Sequence, residues 1–465
     1  MSDPVPPLAP EKYFAGLRDA FSPLRLNFAI AREILGDKLD QHRTFEKHVP
    51  FWRWPLWGVA FEELTLPAGG GKPPSYVRER VFSDDYHHHE IPPKFSVVPV
   101  SPTQERSVLF DASAVLRYTE KGEPQRFLLS VSPAMRHMVV NVTARVDQQP
   151  AVEAFFKAVD DWIATHNFFK KAKIDITGRF LKLDDVTEED LILPDDLKRE
   201  LFRNVAQMVE HAAEYERFGI PNKRGIILAG PPGTGKSMSM KVLAKKLDCA
   251  FIWCSPAQVI EMGFQHIYDF AREIAPTVVL LEDADVFGLD RRLGQFHPLL
   301  GDLLNLLDGV ESNKGVITIL SSNYAEVLDS ALTQRPGRFD VKLLLGPPAP
   351  QQAFDLLRRT LAKRNVSYAG DPQQLQRAAH ELAKARASGA HVVEAVNYAM
   401  ALAVERGRGK GRQLILEPVD ITDAVTRTIA SLGFDSAMAK TLAQVEGLYK
   451  WGGWAEEQRY GTAEA

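Results

Sequence analysis

The stretch GIILAGPPGTGKSMSMKVLAKKL, residues 225–247, decides the fold. It contains the pattern G-x-x-x-x-G-K-[ST] over residues 230–237, with an apolar strand sequence before it and an amphipathic helix sequence after it. Glycines in such a loop let successive backbone N–H groups turn toward phosphate oxygens, and the following helix adds the positive end of its dipole. The stretch therefore predicts a phosphate-binding loop between a buried strand and a helix.

Each polar side chain of this loop has an expected task. Lys236 is expected to place its charge on the β- and γ-phosphates, and the Ser237 hydroxyl is expected to bind Mg²⁺. ATP and Mg²⁺ are thus the predicted cofactors. The remaining loop residues predicted to contact the nucleotide are Pro232, Gly233, Thr234, Gly235 and Met238.

A second apolar run, in PTVVLLEDADVF (276–287), ends in the carboxylates Glu282 and Asp283. Nucleotide-hydrolysing folds usually place Asp before Glu here, and this chain reverses the order. In register with the usual pattern, Glu282 takes the metal-side position and Asp283 the water-activating position, while Asp285 matches the trailing acid. A purely structural acid pair remains an alternative. Because positioning and electrostatics dominate phosphoryl transfer, we expect the site to hydrolyse ATP, and slow turnover stays open.

Strand and helix patterns divide the chain into an α+β part and an α/β part. From about residue 220, apolar strands alternate with helices, which predicts a parallel sheet covered on both faces. A mostly helical segment follows, and the first 180 residues contain short β-rich runs between helical ones. The predicted domains are a client-binding or partner-binding α+β domain (1–183), the large ATPase subdomain (184–345), a helical lid (346–432) and an extension (433–465).

The composition of the chain limits the classes of protein and of binding site to which it can belong. The 465 residues are 45% hydrophobic and 25% charged with a net charge of −4, which is typical of a globular protein and disfavours a general nucleic-acid binder. No apolar run is long enough for a membrane span and no signal pattern begins the chain, so a cytoplasmic location is expected. Two cysteines fit neither a disulfide framework nor a four-ligand zinc site. DDYHHHE (84–90) is read as a polar loop, with zinc binding through His87–His89 left open.

Residues 184–430 resemble the AAA family of ring-forming ATPases. The resemblance rests on GPPGTGKS, LLNLLDGV (303–310), ILSSNYAEVLDSALTQRPGRFD (319–340), SGAHVVEAVNYAMALA (388–403) and YERFGIPNKRGIIL (215–228). It implies a P-loop parallel sheet with a C-terminal helical lid. The Glu-Asp order resembles one branch, the proteins that assemble the respiratory cytochrome bc complex in the mitochondrial inner membrane. Members of that branch carry an N-terminal membrane span, which this sequence does not show.

The same resemblance implies further nucleotide contacts. Backbone near Gly219 and Ile220 would line the adenine pocket, and Gly389 and Ala390 of the lid would lie near the nucleotide. Asn323 would be the polar sensor that contacts the γ-phosphate or the attacking water.

Two arginines complete the set implied by the resemblance. Arg335 and Arg338, in RPGR, would be fingers that reach a neighbouring subunit's γ-phosphate. A solvated surface pair is the alternative. Fingers supplied by a neighbour require head-to-tail contacts, which close into rings, so the expected partner is the chain itself in a hexameric ring.

The leading functional hypothesis is an ATP-driven machine that remodels or translocates a protein client held by the N-terminal domain. One alternative is an ATP-gated assembly switch or scaffold with slow hydrolysis, and a nucleic-acid motor is less favoured. Polypeptide-threading members usually show an aromatic-apolar-Gly element, whereas here Met262 precedes Gly263 and Phe264 follows it. Whether Met262 or Phe264 lines a pore or packs inside the protein is left open.

Overall fold

The computed structural model describes residues 33–34, 41–66, 75–84, 90–220, 223–284, 298–308, 313–323, 338–407, 409–410 and 413–433. The chain divides into two compact units. The first takes the described residues of Met1–Lys182, Cys249–Cys254 and Gln265–Val278, and the second takes those of Leu183–Asp248, Ser255–Phe264 and Val279–Ala465. The four domain boundaries drawn from the sequence stay predictions. The His87–His89 run lies outside the described residues.

The described residues from 42 to 175 form a mainly antiparallel β structure with two helices. The sheet has the order β1-β8-β7-β6-β2-β3 with antiparallel neighbours, and β4 and β5 form a separate hairpin. The elements are β1 (His42–Pro50), α1 (Trp54–Thr65), β2 (Tyr76–Asp84), β3 (Glu90–Ile91), β4 (Phe95–Ser101), β5 (Gln104–Leu109), β6 (Ala112–Glu120), β7 (Glu123–Pro133), β8 (His137–Arg145), α2 (Gln149–His166) and β9 (Lys173–Asp175). This agrees with the predicted α+β class.

Helix α1 forms the centre of this part because its sequence, WPLWGVAFEELT, is apolar on nearly every side. Trp57 and Phe61 are fully buried and their rings stack at 5.6 Å between centroids. The Glu62 carboxylate, also buried, is held by the Arg78 guanidinium through two contacts of 2.9 Å. A bidentate pair of this kind satisfies a carboxylate that would otherwise be costly to bury.

A second, six-stranded sheet has the order β14-β10-β13-β12-β11-β9, with β9 from the first half of the chain and the other strands from residues 223–344. Strand β10 pairs in parallel with β13 and β14, and β11 pairs in parallel with β9. Every residue of β12 is buried, as expected for a strand covered on both faces. The elements are α3 (Asp195–Glu210), α4 (Ala212–Arg217), β10 (Lys223–Ala229), α5 (Lys236–Lys246), β11 (Ala250–Cys254), α6 (Pro256–Met262), α7 (Phe264–Glu273), β12 (Thr277–Leu281), α8 (Pro298–Asp308), β13 (Val316–Ser322) and β14 (Val341–Leu344). The predicted P-loop parallel sheet is confirmed.

The lid follows the sheet as a bundle of helices with its own core. Its elements are α9 (Pro350–Lys363), β15 (Val366–Tyr368), α10 (Pro372–Lys384), α11 (Gly389–Glu405), β16 (Gly409–Lys410), β17 (Gln413–Leu416) and a helix α12 over 418–433. Leu357, Leu382, Val392 and Val396 belong to one buried cluster that joins α9, α10 and α11. The apolar faces of amphipathic helices meet here, which keeps the lid together as a unit.

The segment around Gly263, the two cysteines and the apolar character of the helices each bear on function. Gly263, at φ +78°, separates α6 from α7, and the neighbouring Phe264 side chain is only 2% exposed, so Phe264 packs inside the protein. Met262 is half-buried.

Both cysteines, Cys249 and Cys254, are free and buried at strand β11, and burial raises the pKa of the Cys254 thiol. None of the helices in the described residues combines the length and apolar character that crossing a membrane requires.

Candidate active site

The predicted phosphate loop lies between β10 and α5, as the sequence pattern requires. Gly230, directly after β10, has φ +148°, and Gly235, at φ +102°, occupies the position before helix α5. A Cβ atom at Gly230 would lie 2.0 Å from the Leu345 carbonyl oxygen, so only glycine fits beside β14's end. These conformations turn the loop back over the start of α5, where the helix dipole favours an anion.

Lys236 and Thr234 point inward in this loop. The Lys236 side chain is buried and its Nζ donates to the Gly230 oxygen at 2.6 Å and to the Pro231 oxygen at 3.0 Å. Thr234 Oγ1 donates to the Pro231 oxygen at 2.8 Å. The ammonium therefore stays at the mouth of the loop, where it can neutralise phosphate charge.

Ser237 and Glu282 meet at the start of helix α5. Ser237 Oγ, in the first turn of α5, donates to Oε1 of Glu282, the residue directly after β12, at 3.0 Å. In an octahedral Mg²⁺ shell with metal–oxygen bonds of about 2.0–2.1 Å, neighbouring oxygens lie about 2.9 Å apart. The hydroxyl and carboxylate oxygens thus have the chemistry and the spacing of two adjacent Mg²⁺ ligands. The residues present fit the metal.

Asp283 and Asn323 form a second polar pair beside the first. Asn323 Nδ2 donates to Asp283 Oδ1 at 3.1 Å, and the Asp283 backbone N–H donates to Ser321 Oγ at 3.2 Å. Asp283 has φ +45°, a left-handed conformation that Asp and Asn tolerate better than longer side chains. The hydrogen bond that the Asp283 N–H donates to Ser321 Oγ stabilises this conformation, in which the carboxylate meets Asn323 beyond the end of β13.

The lid contacts the loop directly. The Ala390 N–H, at the start of α11, donates to the Gly233 oxygen at 3.0 Å. A Cβ added at Gly233 would lie 2.6 Å from Ser388 Oγ and 2.7 Å from the Ala390 Cβ. Gly389 stands between these two lid residues, with its own Cβ position 3.1 Å from the Gly233 oxygen. The first turn of α11 is therefore part of the candidate site.

The comparison with known sequences agrees with this geometry. A sequence profile of the family "ATPase family associated with various cellular activities (AAA)" matches residues 226–347. This range contains the loop, both acids and Asn323. The chain contains an AAA ATPase domain. ATP and Mg²⁺ are the cofactors of such a domain, and the predictions of an ATPase and of these cofactors are confirmed.

Several curated proteins are similar to part of this chain. The ATP-dependent zinc metalloprotease FtsH 2 of Salinibacter ruber (strain M8) is 30% identical over 237 residues, 48% of this chain and 34% of the relative. The 26S proteasome regulatory subunit 8 homolog of Saccharomyces cerevisiae (strain ATCC 204508 / S288c) is 33% identical over 172 residues, 34% of this chain and 42% of the relative. The cell division control protein 48 homolog B of Arabidopsis thaliana is 29% identical over 255 residues, 50% of this chain and 41% of the relative. The chain thus matches less than half the length of each of these proteins.

The other predicted residues of the AAA domain lie in different surroundings. Gly219 has φ +68° and Ile220 is 46% exposed, which leaves its side chain open to a ligand. Arg338 is 3% exposed in the single chain. Arg335 and Asp285 lie outside the described residues. Pro232 is exposed and Met238 is half-buried.

Two serines of the site are absent from the residues predicted by sequence. Ser321 fixes the Asp283 backbone, and Ser388 packs against Gly233. The sequence offered a signal for Ser321, because it lies near the end of the buried strand β13, two residues before the predicted sensor Asn323. The Ser388 position was visible as a helix N-cap residue directly before Gly389.

Proposed function

We propose that this chain is the subunit of a homo-oligomeric ring, a hexamer, that hydrolyses ATP to remodel or translocate a protein client held by the N-terminal α+β domain. Proteins similar to this chain include an ATP-dependent zinc metalloprotease, a proteasome regulatory subunit homolog and a cell division control protein homolog. The Glu282–Asp283 order supports a place near the branch that assembles the respiratory cytochrome bc complex. A cytoplasmic location is part of the same proposal.

One observation carries the proposal of ATP hydrolysis. The Ser237–Glu282 contact at 3.0 Å and the Asn323–Asp283 contact at 3.1 Å bring together a metal-binding pair and a water-orienting pair from three separate segments. We therefore assign different roles to Glu282 and Asp283. Glu282 would hold Mg²⁺ with Ser237, and Asp283 with Asn323 would orient the attacking water, while Lys236 neutralises phosphate charge.

The arginines supply the link to a ring. Arg335 and Arg338 are proposed as fingers acting on the neighbouring subunit's γ-phosphate. Because Arg338 is 3% exposed in the single chain, we assign the principal role to Arg335 and expect Arg338 to support the segment that carries it. Removal of such a finger costs about 10³-fold or more in turnover.

The test measures steady-state ATP turnover per subunit across a protein concentration series, for the wild type, Arg335→Ala and Arg377→Ala. Arg377 is an exposed arginine of helix α10 and serves as the matched control. Turnover is expected to rise with concentration in the wild type and the control, and to collapse in Arg335→Ala. Turnover that is constant with concentration, or unaffected by Arg335→Ala, contradicts hydrolysis between subunits.

A mixing experiment separates a finger in the same subunit from one in the neighbour. Lys236→Ala and Arg335→Ala are each expected to be nearly inactive alone. When they are mixed, an Arg335→Ala subunit beside a Lys236→Ala subunit has an intact loop and receives an intact finger. Partial recovery of turnover on mixing therefore supports the ring, and its absence contradicts it.

An ATP-gated assembly switch with slow hydrolysis is the second candidate. The burial of Phe264 favours it, because the aromatic side chain next to Gly263 is packed inside the protein and cannot grip a client. A purified wild type that binds ATP and assembles but turns over negligibly would select the switch. A nucleic-acid motor is least favoured because the chain carries a net charge of −4.

A further inference from the structure

The segment DDVTEED, residues 184–190, lies just before helix α3, and we name it the acidic strap. It ends in a short 3-10 turn over Glu188–Asp190. The Thr187 N–H donates to Asp190 Oδ2 at 2.9 Å, which closes the turn and fixes the Asp190 side chain. The strap is therefore locally ordered by its own residues.

On one side the acidic strap contacts helix α5, which begins at Lys236. The three contacts involve lysines one to three turns further along that helix. They join Lys241 to Asp184 at 2.5 Å, Lys245 to Asp185 at 2.8 Å and Lys246 to Glu188 at 2.6 Å. Since the carboxylates are largely solvent-exposed, each pair contributes little free energy on its own.

On the other side the acidic strap contacts helix α9 of the lid, through Asp190. Arg359 Nε donates to Asp190 Oδ1 at 2.8 Å, and Lys363 Nζ donates to Oδ2 at 2.9 Å. The Asp190 side chain is only 6% exposed. Burial would raise the pKa of Asp190, but the hydrogen bonds from Lys363 and Arg359 overcome it and lower the pKa well below its usual range. Charge-assisted bonds to a shielded carboxylate are stronger than exposed pairs.

Helix α9 is also connected to the phosphate loop, through contacts with the first residues of α11. The Leu356 Cδ2 atom lies 3.5 Å from the Cβ position of Gly389, at the start of α11. The next residue, Ala390, donates its N–H to the Gly233 oxygen at 3.0 Å. Helices α9 and α11 also share one buried core. A shift of α9 therefore moves the lid residues that face the loop.

We propose that Asp190 is a positioning residue for nucleotide binding: it ties the lid helix α9 to the acidic strap and so keeps Gly389 and Ala390 against the phosphate loop. The inference rests on the nucleotide site of the proposed function, but on neither the ring nor the client. Neutralising Asp190 leaves the loop, the acids and Asn323 intact. It therefore weakens nucleotide binding and leaves the chemical step unchanged.

The test compares Asp190→Asn with the wild type by titration of the full chain with a fluorescent ADP analogue. We expect the Kd to rise about five- to ten-fold, in the lower part of the range for coupling between sites. We expect KM for ATP to rise with it and kcat at saturation to change by less than about two-fold, because the groups at the reacting atoms are untouched. Asp184→Asn is the matched control, since it removes one charge from the same strap at a side chain 66% exposed that pairs with α5. Its Kd is expected to equal that of the wild type.

A double-mutant cycle with Arg359→Gln distinguishes positioning from general destabilisation. If Asp190 acts through α9, Arg359→Gln alone raises the Kd for the ADP analogue. The Kd of the double variant is then no higher than the higher of the two single-variant Kd values. Arg359 is 39% exposed, so this variant folds and carries the prediction even where Asp190→Asn lowers stability. An unchanged Kd in Asp190→Asn and Arg359→Gln, or strictly additive effects, overturns the proposal. Equal affinity of the wild type and Lys236→Ala for the probe would instead contradict the nucleotide site itself.

Discussion

The side-chain amide of Asn323 donates a hydrogen bond to Asp283 Oδ1 at 3.1 Å, which joins the ends of two neighbouring strands, β13 and β12. In this chain the second acid of the pair, not the first, is therefore the partner of Asn323, the proposed sensor. The first acid, Glu282, instead contacts Ser237 of the phosphate loop. The two contacts support the proposed roles, in which Glu282 holds the metal and Asp283 orients the water.

Asp283→Asn keeps the shape of this pair but removes the charge that would orient and polarise water. We expect ATP turnover to fall about 100-fold or more, the usual cost of losing a general base. Affinity for ADP should be unchanged because Ser237, Glu282 and the loop are intact. Asp302→Asn, at an exposed acid of α8, is the control in the same phosphate-release assay. Turnover in Asp283→Asn within two-fold of the wild type would show that another group handles the water.

The left-handed backbone at Asp283 explains why an aspartate stands at this position. Asp283→Glu places a longer side chain at φ +45°, and we expect the free energy of unfolding to fall by about 1 kcal/mol. Glu282→Asp is the matched control, because Glu282 does not have a positive φ among the described residues. Urea unfolding of both single variants checks this. Equal stability of the two variants would mean that the backbone at residue 283 does not select its side chain.

Gly233 combines a positive φ with a crowded surrounding. Gly233→Ala is expected to destabilise the protein by about 1 kcal/mol through φ +76° and to weaken ADP binding as well, because the new methyl group collides with Ser388 and Ala390. Gly122→Ala is the matched control, at φ +87° in the turn between β6 and β7 with nothing within 4 Å. It should lose similar stability and retain full ADP affinity. Equal ADP affinity in both variants would show that the lid contact at Gly233 does not contribute to binding.

His266 predicts a pH dependence of stability. Burial lowers its pKa, an effect opposed by Asp269 and reinforced by Arg136. The unfolded chain therefore binds more protons than the folded chain just below pH 6.5, so stability is present above that pH and is lost as the pH falls through the folded value. Between pH 7.5 and 5.5, the urea midpoint of the wild type should fall more than that of His266→Phe. His380→Phe, at an exposed histidine of α10, should behave as the wild type does. A parallel pH response of the wild type and His266→Phe would exclude His266 as the cause.

The phosphate loop was predictable because its pattern encodes backbone conformation as well as side chains. Gly230 and Gly235 both have positive φ, and the loop pattern requires glycine at those two positions. The burial of β12 followed from its unbroken apolar run for the same reason, since a strand covered on both faces has no polar side. Local sequence is sufficient where a feature depends on the conformation or burial of consecutive residues.

Contacts between distant segments were not predictable in this way. Asp190 and Arg359 lie 169 residues apart, and no periodicity in either segment indicates that the two meet. In the β-rich run SVLFDASAVLRY (107–118), Asp111 at φ +51° separates β5 from β6, and the residue pattern of the run does not indicate this break. The burial of Phe264 likewise depends on how α7 packs, which its amphipathic pattern alone does not determine. Tertiary packing decides these features, and one sequence contains little trace of it.

The two buried cysteines are natural probes of transient opening of the sheet. Cys254 ends strand β11 and Cys249 directly precedes it, and both are buried, so a thiol reagent reaches them when this part of the sheet opens transiently, and the alkylation rate records that opening. Because Cys249 and Cys254 are the chain's two cysteines, every modified thiol comes from β11 or from the residue directly before it. Comparing the alkylation rates with and without ATP would therefore show how much nucleotide suppresses this opening, with no engineered probe introduced.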